Sequence, residues 1–276
     1  MSSYNPLQQY FRQPKIYIGL PSKGIYYPAG AIQGDVEKLP VFGMTGMDEI
    51  MIRTPDALLS GETTVKVIES CVPAIKNAWD VSNLDLDLIL AAIRIATYGH
   101  NMTVTHVCTN CSTEQDYELD LMKIVEHYSN CKFENQVIIG DLKVTLKPLR
   151  YKQLTQFSLT NFQLQQRIIR AESIEDPEEK NKELAELFRN LGELQNDIYT
   201  DGIESVDTGS VVVTERPFIR EWILNSDTSV FDTIKAVINR NKTTWESPTH
   251  AVKCESCGEE GRIAVDLDPS NFFVAA

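Results

Sequence analysis

The chain has 276 residues and a mass of 31.2 kDa, enough to bury a sizeable core and to divide into two domains. Its apolar fraction of 42% and charged fraction of 24% are those of an ordinary soluble globular protein. A formal charge of −13 and a pI near 4.8 argue against a general nucleic-acid binder, which needs clustered Lys and Arg to meet phosphates.

The opening "MSSYNPLQQYFRQPKIYIGL" lacks a basic stretch followed by an apolar run, so no signal peptide is expected. Residues 1–50 read as an extended N-terminal segment, with "KIYIGLPSKGIYYPAGAI" as short extended pieces around a Gly-containing turn. In "RTPDALLSGE", Thr54 is placed to cap a helix that has Pro55 at its first position. Gly61 interrupts that turn, and "TTVKVIESCV" continues as a short buried helix up to Pro73. In "SNLDLDLILAAIRIATYGH" apolar residues cover most sides from Leu86 to Ile95, and Gly99 is a natural terminator, which predicts the central core helix. The run "LILAAIRIA" within it is too short to span a bilayer and contains Arg94, so no membrane insertion is expected. Asp85 and Asp87 near its start read as complements to the helix dipole. "MTVTHV" then alternates like a strand into Cys108 and Cys111, and "QDYELDL" alternates on the way out. Residues 51–120 therefore read as a helical core plus a first metal knuckle.

Residues 121–250 read as a mostly helical insertion. "LMKIVEHYS" is predicted helical and "NQVIIGDLKVTLKPL" a hairpin turning at Gly140-Asp141. Leu154, Phe157, Asn161, Leu164 and Ile168 recur at alternating three- and four-residue intervals, and so do Leu184, Leu187, Leu191, Leu194 and Ile198. Asp176, Pro177 and Glu179 mark the start of the second helix, and the short connection predicts an antiparallel helical hairpin with a heptad-like seam. Asn161 would be a register-setting polar residue in that seam. The hairpin either packs within the domain or serves as a partner-binding or self-associating arm. Between Glu172 and Glu204 acids far outnumber Lys180, Lys182 and Arg189, as on a solvated helix face or a docking surface for a basic partner. "SVVVTERP" reads as a strand, and "FIREWILNSDTSVFDTIKAVINRN" as two helices with Ser226 or Asp227 capping the second. Residues 251–276 carry a second knuckle and a C-terminal strand.

The six cysteines of a cytosol-made chain sit in a reducing compartment, where Cys-x-x-Cys pairs signal metal more often than disulfides. "VCTNCSTEQDYELD" and "KCESCGEEGRIAVD" match: a Cys-x-x-Cys, a polar turn, then an alternating strand, with Tyr117 and Leu119 matching Ile263 and Val265. Each pair is a zinc knuckle on a β-hairpin, and two closing on one ion give a four-cysteine site of Cys108, Cys111, Cys254 and Cys257. About half of the chain separates the two pairs, against the usual ribbon spacing of under about 20 residues. An insertion between the ribbon's halves accounts for this; the alternatives are two separate turns or pairing across chains. Structural zinc is the expected ion, and rubredoxin-like iron shares the ligand geometry. Four thiolates leave no open position for water, so the ion would staple and not react. His106 and His250, close upstream of the two pairs, read as strand or supporting residues and not as ligands. Cys71 reads as core, and Cys131 has no partner in the sequence.

The fold class that emerges is α+β: a zinc-ribbon-like pair of knuckle hairpins with a helix-rich insertion. No nucleophile elbow, phosphate loop, zincin helix or dinucleotide fingerprint is present, so neither enzyme activity nor a small-molecule substrate is expected.

The order of "LPSKGIYYPAG", "TPDALLSGE", "CVPAI", "RIATYGH" and "CTNC", with the second pair at 254–257, resembles the baseplate hub subunits and hub-assembly proteins of contractile-tailed, T-even-like bacteriophages. That resemblance implies a non-enzymatic component of the virion tail baseplate, assembled in the bacterial host cytoplasm and partnered by other baseplate and tail proteins. It leaves open whether the protein stays in the virion or leaves after assembly as a chaperone. In the resemblance, Leu20–Gly30 forms an ordered extended segment; read from the residues alone, Gly24 and Gly30 simply make turns. A zinc-ribbon nucleic-acid factor is the alternative of another class, opposed by the acids around both knuckles: Glu114, Asp116, Glu118, Glu255, Glu259 and Glu260. A hydrolase using the metal would need a bound water and only three protein ligands.

Overall fold

A computed structural model describes residues 5–53, 60–265 and 267. The chain divides into two compact units: one from residues up to Cys131 and from Glu246 onward, the other from Lys132–Trp245. The predicted cap at Thr54 and Pro55 lies outside the described residues.

The first unit is built around one helix. Strands β1 (Ile16–Ile18) and β2 (Leu39–Val41) pair antiparallel. Helix α1 (Gly46–Ile52) begins at a capping box formed by Thr45 and Asp48, and α2 (Glu62–Cys71) begins at Gly61, whose left-handed φ of 76° favours a residue without Cβ. Helix α3 (Asn83–Tyr98) is the core helix the sequence predicts: every residue from Leu88 to Ile93 is buried, and Gly99, at φ 93°, ends it. Leu20–Gly30 is a run of turns, as Gly24 and Gly30 indicate when read from the residues alone, and not the extended segment that the resemblance implied; Lys23, Gly24 and Gly30 all sit at positive φ. One finding corrects the reading of the residues here. Asp85 is more than a dipole complement: it is fully buried and accepts from Ser22 N at 2.9 Å, Ser22 Oγ at 2.5 Å and Tyr27 Oη at 2.9 Å, holding those turns on α3. Asp87 likewise accepts from Tyr128 Oη at 3.1 Å, which ties α3 to α4 (Met122–Asn130). Strands β3 (Asn101–Val107) and β4 (Glu114–Asp120) form one two-stranded hairpin, and β9 (Thr249–Lys253) with β10 (Glu260–Ala264) forms another.

The second unit carries a four-stranded antiparallel sheet in the order β5-β6-β7-β8: Gln136–Ile139, Leu142–Leu146, Ile203–Asp207 and Val212–Val213. Strand β7 has no counterpart in the sequence reading. Helices α7 (Arg216–Asn225) and α8 (Thr228–Thr244) cover the sheet, burying Val144, Leu146, Ile219, Ile223 and Ile234 in one cluster. Between the neighbouring strands β6 and β7 the chain makes its helical hairpin, α5 (Tyr151–Glu172) and α6 (Pro177–Asp201). Contacts from Gln153 to Asp201 and from Arg167 to Glu183 show that the helices run antiparallel. Leu164, Ala171 and Leu187 are buried in the seam, flanked by Ile168, Leu184, Leu191 and Leu194. Asn161, expected within the seam, is exposed instead.

The ends of this unit are clasped together. Asn241 exchanges two 2.8 Å hydrogen bonds with the backbone of Glu134, and Arg240 grips the Glu134 carboxylate at 2.9 and 3.1 Å. Chain entry and exit therefore meet at one place, as in a domain inserted into another.

Candidate metal centre

The two cysteine turns share one backbone plan. In the first, Cys108 N donates to Thr113 O at 2.9 Å and Ser112 N to Cys108 O at 2.9 Å. In the second, Cys254 N donates to Glu259 O at 2.8 Å and Gly258 N to Cys254 O at 2.8 Å. The fifth residue of each turn is left-handed, Ser112 at φ 56° and Gly258 at φ 77°. Each hairpin thus reverses through a tight knuckle in which both thiols turn to the same side, the inner cysteine buried and the outer one exposed.

These turns meet. The sulfurs of Cys108, Cys111, Cys254 and Cys257 all lie within 4.8 Å of one another, with Cys108–Cys257 at 3.7 Å and Cys111–Cys254 at 3.6 Å. Both close pairs cross from one knuckle to the other, and neither is a disulfide, whose sulfurs stand at about 2.05 Å. Zinc–sulfur bonds of about 2.3 Å in a tetrahedron put sulfurs about 3.8 Å apart, so the spacing fits one ion between the turns. The four cysteines that the sequence pairs across half the chain are brought to one point.

Electrostatics prepare one thiolate. Thr113, through its hydroxyl at 3.2 Å and its backbone, holds the Cys111 thiol down to about 6. At Cys257 the backbone of Glu259 pulls the same way, but desolvation and the neighbouring sulfurs outweigh it and push the thiol up to about 11. Four thiols crowded together cannot all ionise without a cation among them.

Gln115 is the residue that sequence reasoning missed. Its Oε1 accepts from Glu255 N at 3.0 Å, its Nε2 reaches Ser256 Oγ at 3.4 Å, and Tyr117 Oη donates to the same Oε1 at 2.9 Å. It docks the second knuckle against the first, and a lone glutamine in a polar strand gives no signal of that role. His106 and His250 stand outside the sulfur cluster. His250 is buried in β9, and desolvation holds its pKa below the usual imidazole range. Cys71 is fully buried, and desolvation raises its thiol to about 12. Cys131 Sγ lies 3.6 Å from His127 Nε2, but that nitrogen donates to the carbonyl of Glu246 at 3.0 Å, so it offers the thiol no free lone pair.

The T4 bacteriophage base plate protein family matches residues 47–274, and the chain belongs to that family. The match takes in both knuckles and the whole second unit and begins after the "LPSKGIYYPAG" turns. No curated protein and no solved structure matches the chain. Among the described residues no helix is long and apolar enough to cross a membrane.

Proposed function

We propose that this baseplate-family chain is a non-enzymatic component of the baseplate hub that works through contacts with other baseplate and tail proteins. Cys108, Cys111, Cys254 and Cys257 hold one structural zinc in it. The observation that carries the reading is the convergence of two matched knuckles, from opposite ends of the chain, on one cluster of four sulfurs. All four ligand positions are then protein thiolates, which leaves no place for an activated water. Gln115 and Tyr117 hold the second turn in register with the first, and the ion supplies the cross-link. Structural zinc contributes on the order of 10 kcal/mol to small metal-folded modules, enough to hold two short hairpins together. Glu114, Asp116, Glu255 and Glu259 beside the turns disfavour a phosphate backbone as the partner.

Metal analysis of the purified chain beside a Cys254→Ser variant tests the site. The wild type is expected to carry one zinc per chain and the variant to lose most of it. Equal metal in both, or none in either, sinks the shared site. Mass spectrometry of purified particles tests the hub role: peptides of this chain are expected in the mature tail, and their absence turns the reading to an assembly factor that departs.

A further inference from the structure

Among the described residues each knuckle hairpin is a sheet of two strands, so β4 and β9 each keep an outer edge that no further strand pairs with. On the first hairpin, Leu121 N donates to His100 O at 2.8 Å and Cys108 N to Thr113 O at 2.9 Å. These bonds fix the alternation of the ladder: Tyr117 and Leu119 turn their backbone groups to β3, while Asp116, Glu118 and Asp120 turn theirs away. On the second, Cys254 N donates to Glu259 O at 2.8 Å, so Thr249, Ala251 and Lys253 turn theirs away from β10. A cleft of about 540 Å³ is lined by residues 117–120 and 248–253, with Lys123 and Glu255. A strand face gives every second residue to a wall, so these unbroken runs mark a cleft bordered by strand edges. His250 lines it while only 8% exposed, and its Nε2 has no hydrogen-bond partner among the described residues. A buried nitrogen left open in a cleft wall calls for a polar atom from a ligand.

The β4 edge carries a row of charge as well. Glu114, Asp116, Glu118 and Asp120 share the face opposite to Gln115 and Tyr117, and the first three are exposed. Asn101 donates to Glu118 and Thr105 to Asp116, each at 2.6 Å, but among the described residues no Lys or Arg pairs with either carboxylate. The same residues therefore offer an unpaired backbone on the edge and a carboxylate without a cation on the face.

We propose that an extended, basic segment of a partner protein adds as a strand to the free edge of β4, with Lys or Arg at every second position opposite Asp116 and Glu118. This rests on the contact role proposed above and gives one partner its chemistry. The backbone of the added strand continues the ladder, and its alternate side chains stand about 4.5–5.5 Å from the acids. Charge complementarity selects the occupant. A second copy pairing through β4 would set acid against acid, on chains that each carry −13. An apolar strand would cover the carboxylates and leave them without a cation. A phosphate backbone is repelled outright.

Fluorescence anisotropy with the full chain at low salt reads this from two labelled peptides of about eight residues and equal composition. One alternates Lys and Thr; the other groups its Lys at one end. The wild type is expected to bind the alternating probe at least about tenfold tighter, since only that probe sets its charges at the strand period. Asp116→Asn combined with Glu118→Gln weakens that binding at least about tenfold. Glu118→Pro tests the ladder, because the Glu118 N–H faces away from β3 and its loss costs the hairpin no hydrogen bond. It removes the same charge as Glu118→Gln and is expected to bind at least about threefold more weakly than that variant. Circular dichroism checks that the variants stay folded. Equal affinity for the two probes, indifference to the charge variants, or a folded Glu118→Pro that binds as well as Glu118→Gln overturns the proposal. A chain found in the mature tail that ignores the alternating probe sinks only the strand addition. One that binds it yet is absent from the tail sinks only the hub role.

Discussion

The carboxylate of Asp85 is fully buried at the first turn of α3 and takes three hydrogen bonds, from Ser22 N, Ser22 Oγ and Tyr27 Oη. Desolvation pushes its pKa above the usual carboxylate range, and it outweighs the Ser22 and Tyr27 hydrogen bonds that pull the other way. A carboxyl whose folded pKa is raised contributes stability that is fully present below its unfolded pKa. That contribution is lost as pH rises through the folded value. Asp85→Asn removes the titration and disturbs the three contacts at every pH. Its deficit against the wild type is therefore expected to be largest in acid and to shrink toward neutrality, by urea denaturation across a pH series. A deficit that grows with pH would mean that the three donors outweigh burial. An acid in the first turn of a helix reads as a dipole complement from sequence. What makes this one different is Ser22, 63 residues away, and no local pattern announces that pairing.

Among elements, those with a strong period or a covalent signature were legible. Helix α3 announced itself by apolar residues on most sides, α5 and α6 by their alternating intervals, and the β5–β6 turn by Gly140, which sits at φ 57°. The knuckles were legible because thiolate spacing is chemistry as well as pattern. Strand β7 was not: "IESVD" is short and polar, and its pairing with β6 is settled across the whole helical hairpin. Asn161 fits the interval of the seam yet lies exposed, because the buried contacts concentrate toward Leu164 and Ala171. The seam predicts unequal costs for two neighbours on α6. Leu187 is 0% exposed and Phe188 58%. Leu187→Ala is expected to destabilise by about 2–4 kcal/mol through its cavity, and Phe188→Ala by under about 1 kcal/mol. Circular dichroism through a urea titration separates them, and equal losses would mean that the hairpin packs by another face.

At the scale of the molecule, the two units rest on different physics. The knuckle hairpins are two-stranded, and such hairpins are marginal alone in water. Beyond the sulfur cluster, Gln115 to Glu255 and Ser256 and Tyr117 to Lys253 are among the few polar contacts that join them. The unit Lys132–Trp245 has its own sheet and core, and its ends are clasped through Glu134, Arg240 and Asn241. On the proposed zinc site, withdrawing the ion should therefore act on one unit and spare the other. Hydrogen exchange of the full chain with and without a strong chelator reads this amide by amide. Protection along β3, β4, β9 and β10 is expected to fall by orders of magnitude, while β6, β7 and α8 keep theirs. Exchange that accelerates in both units together would show that the staple supports the whole chain. Exchange unchanged at the knuckles would show that Gln115 and the hairpin contacts hold them without an ion.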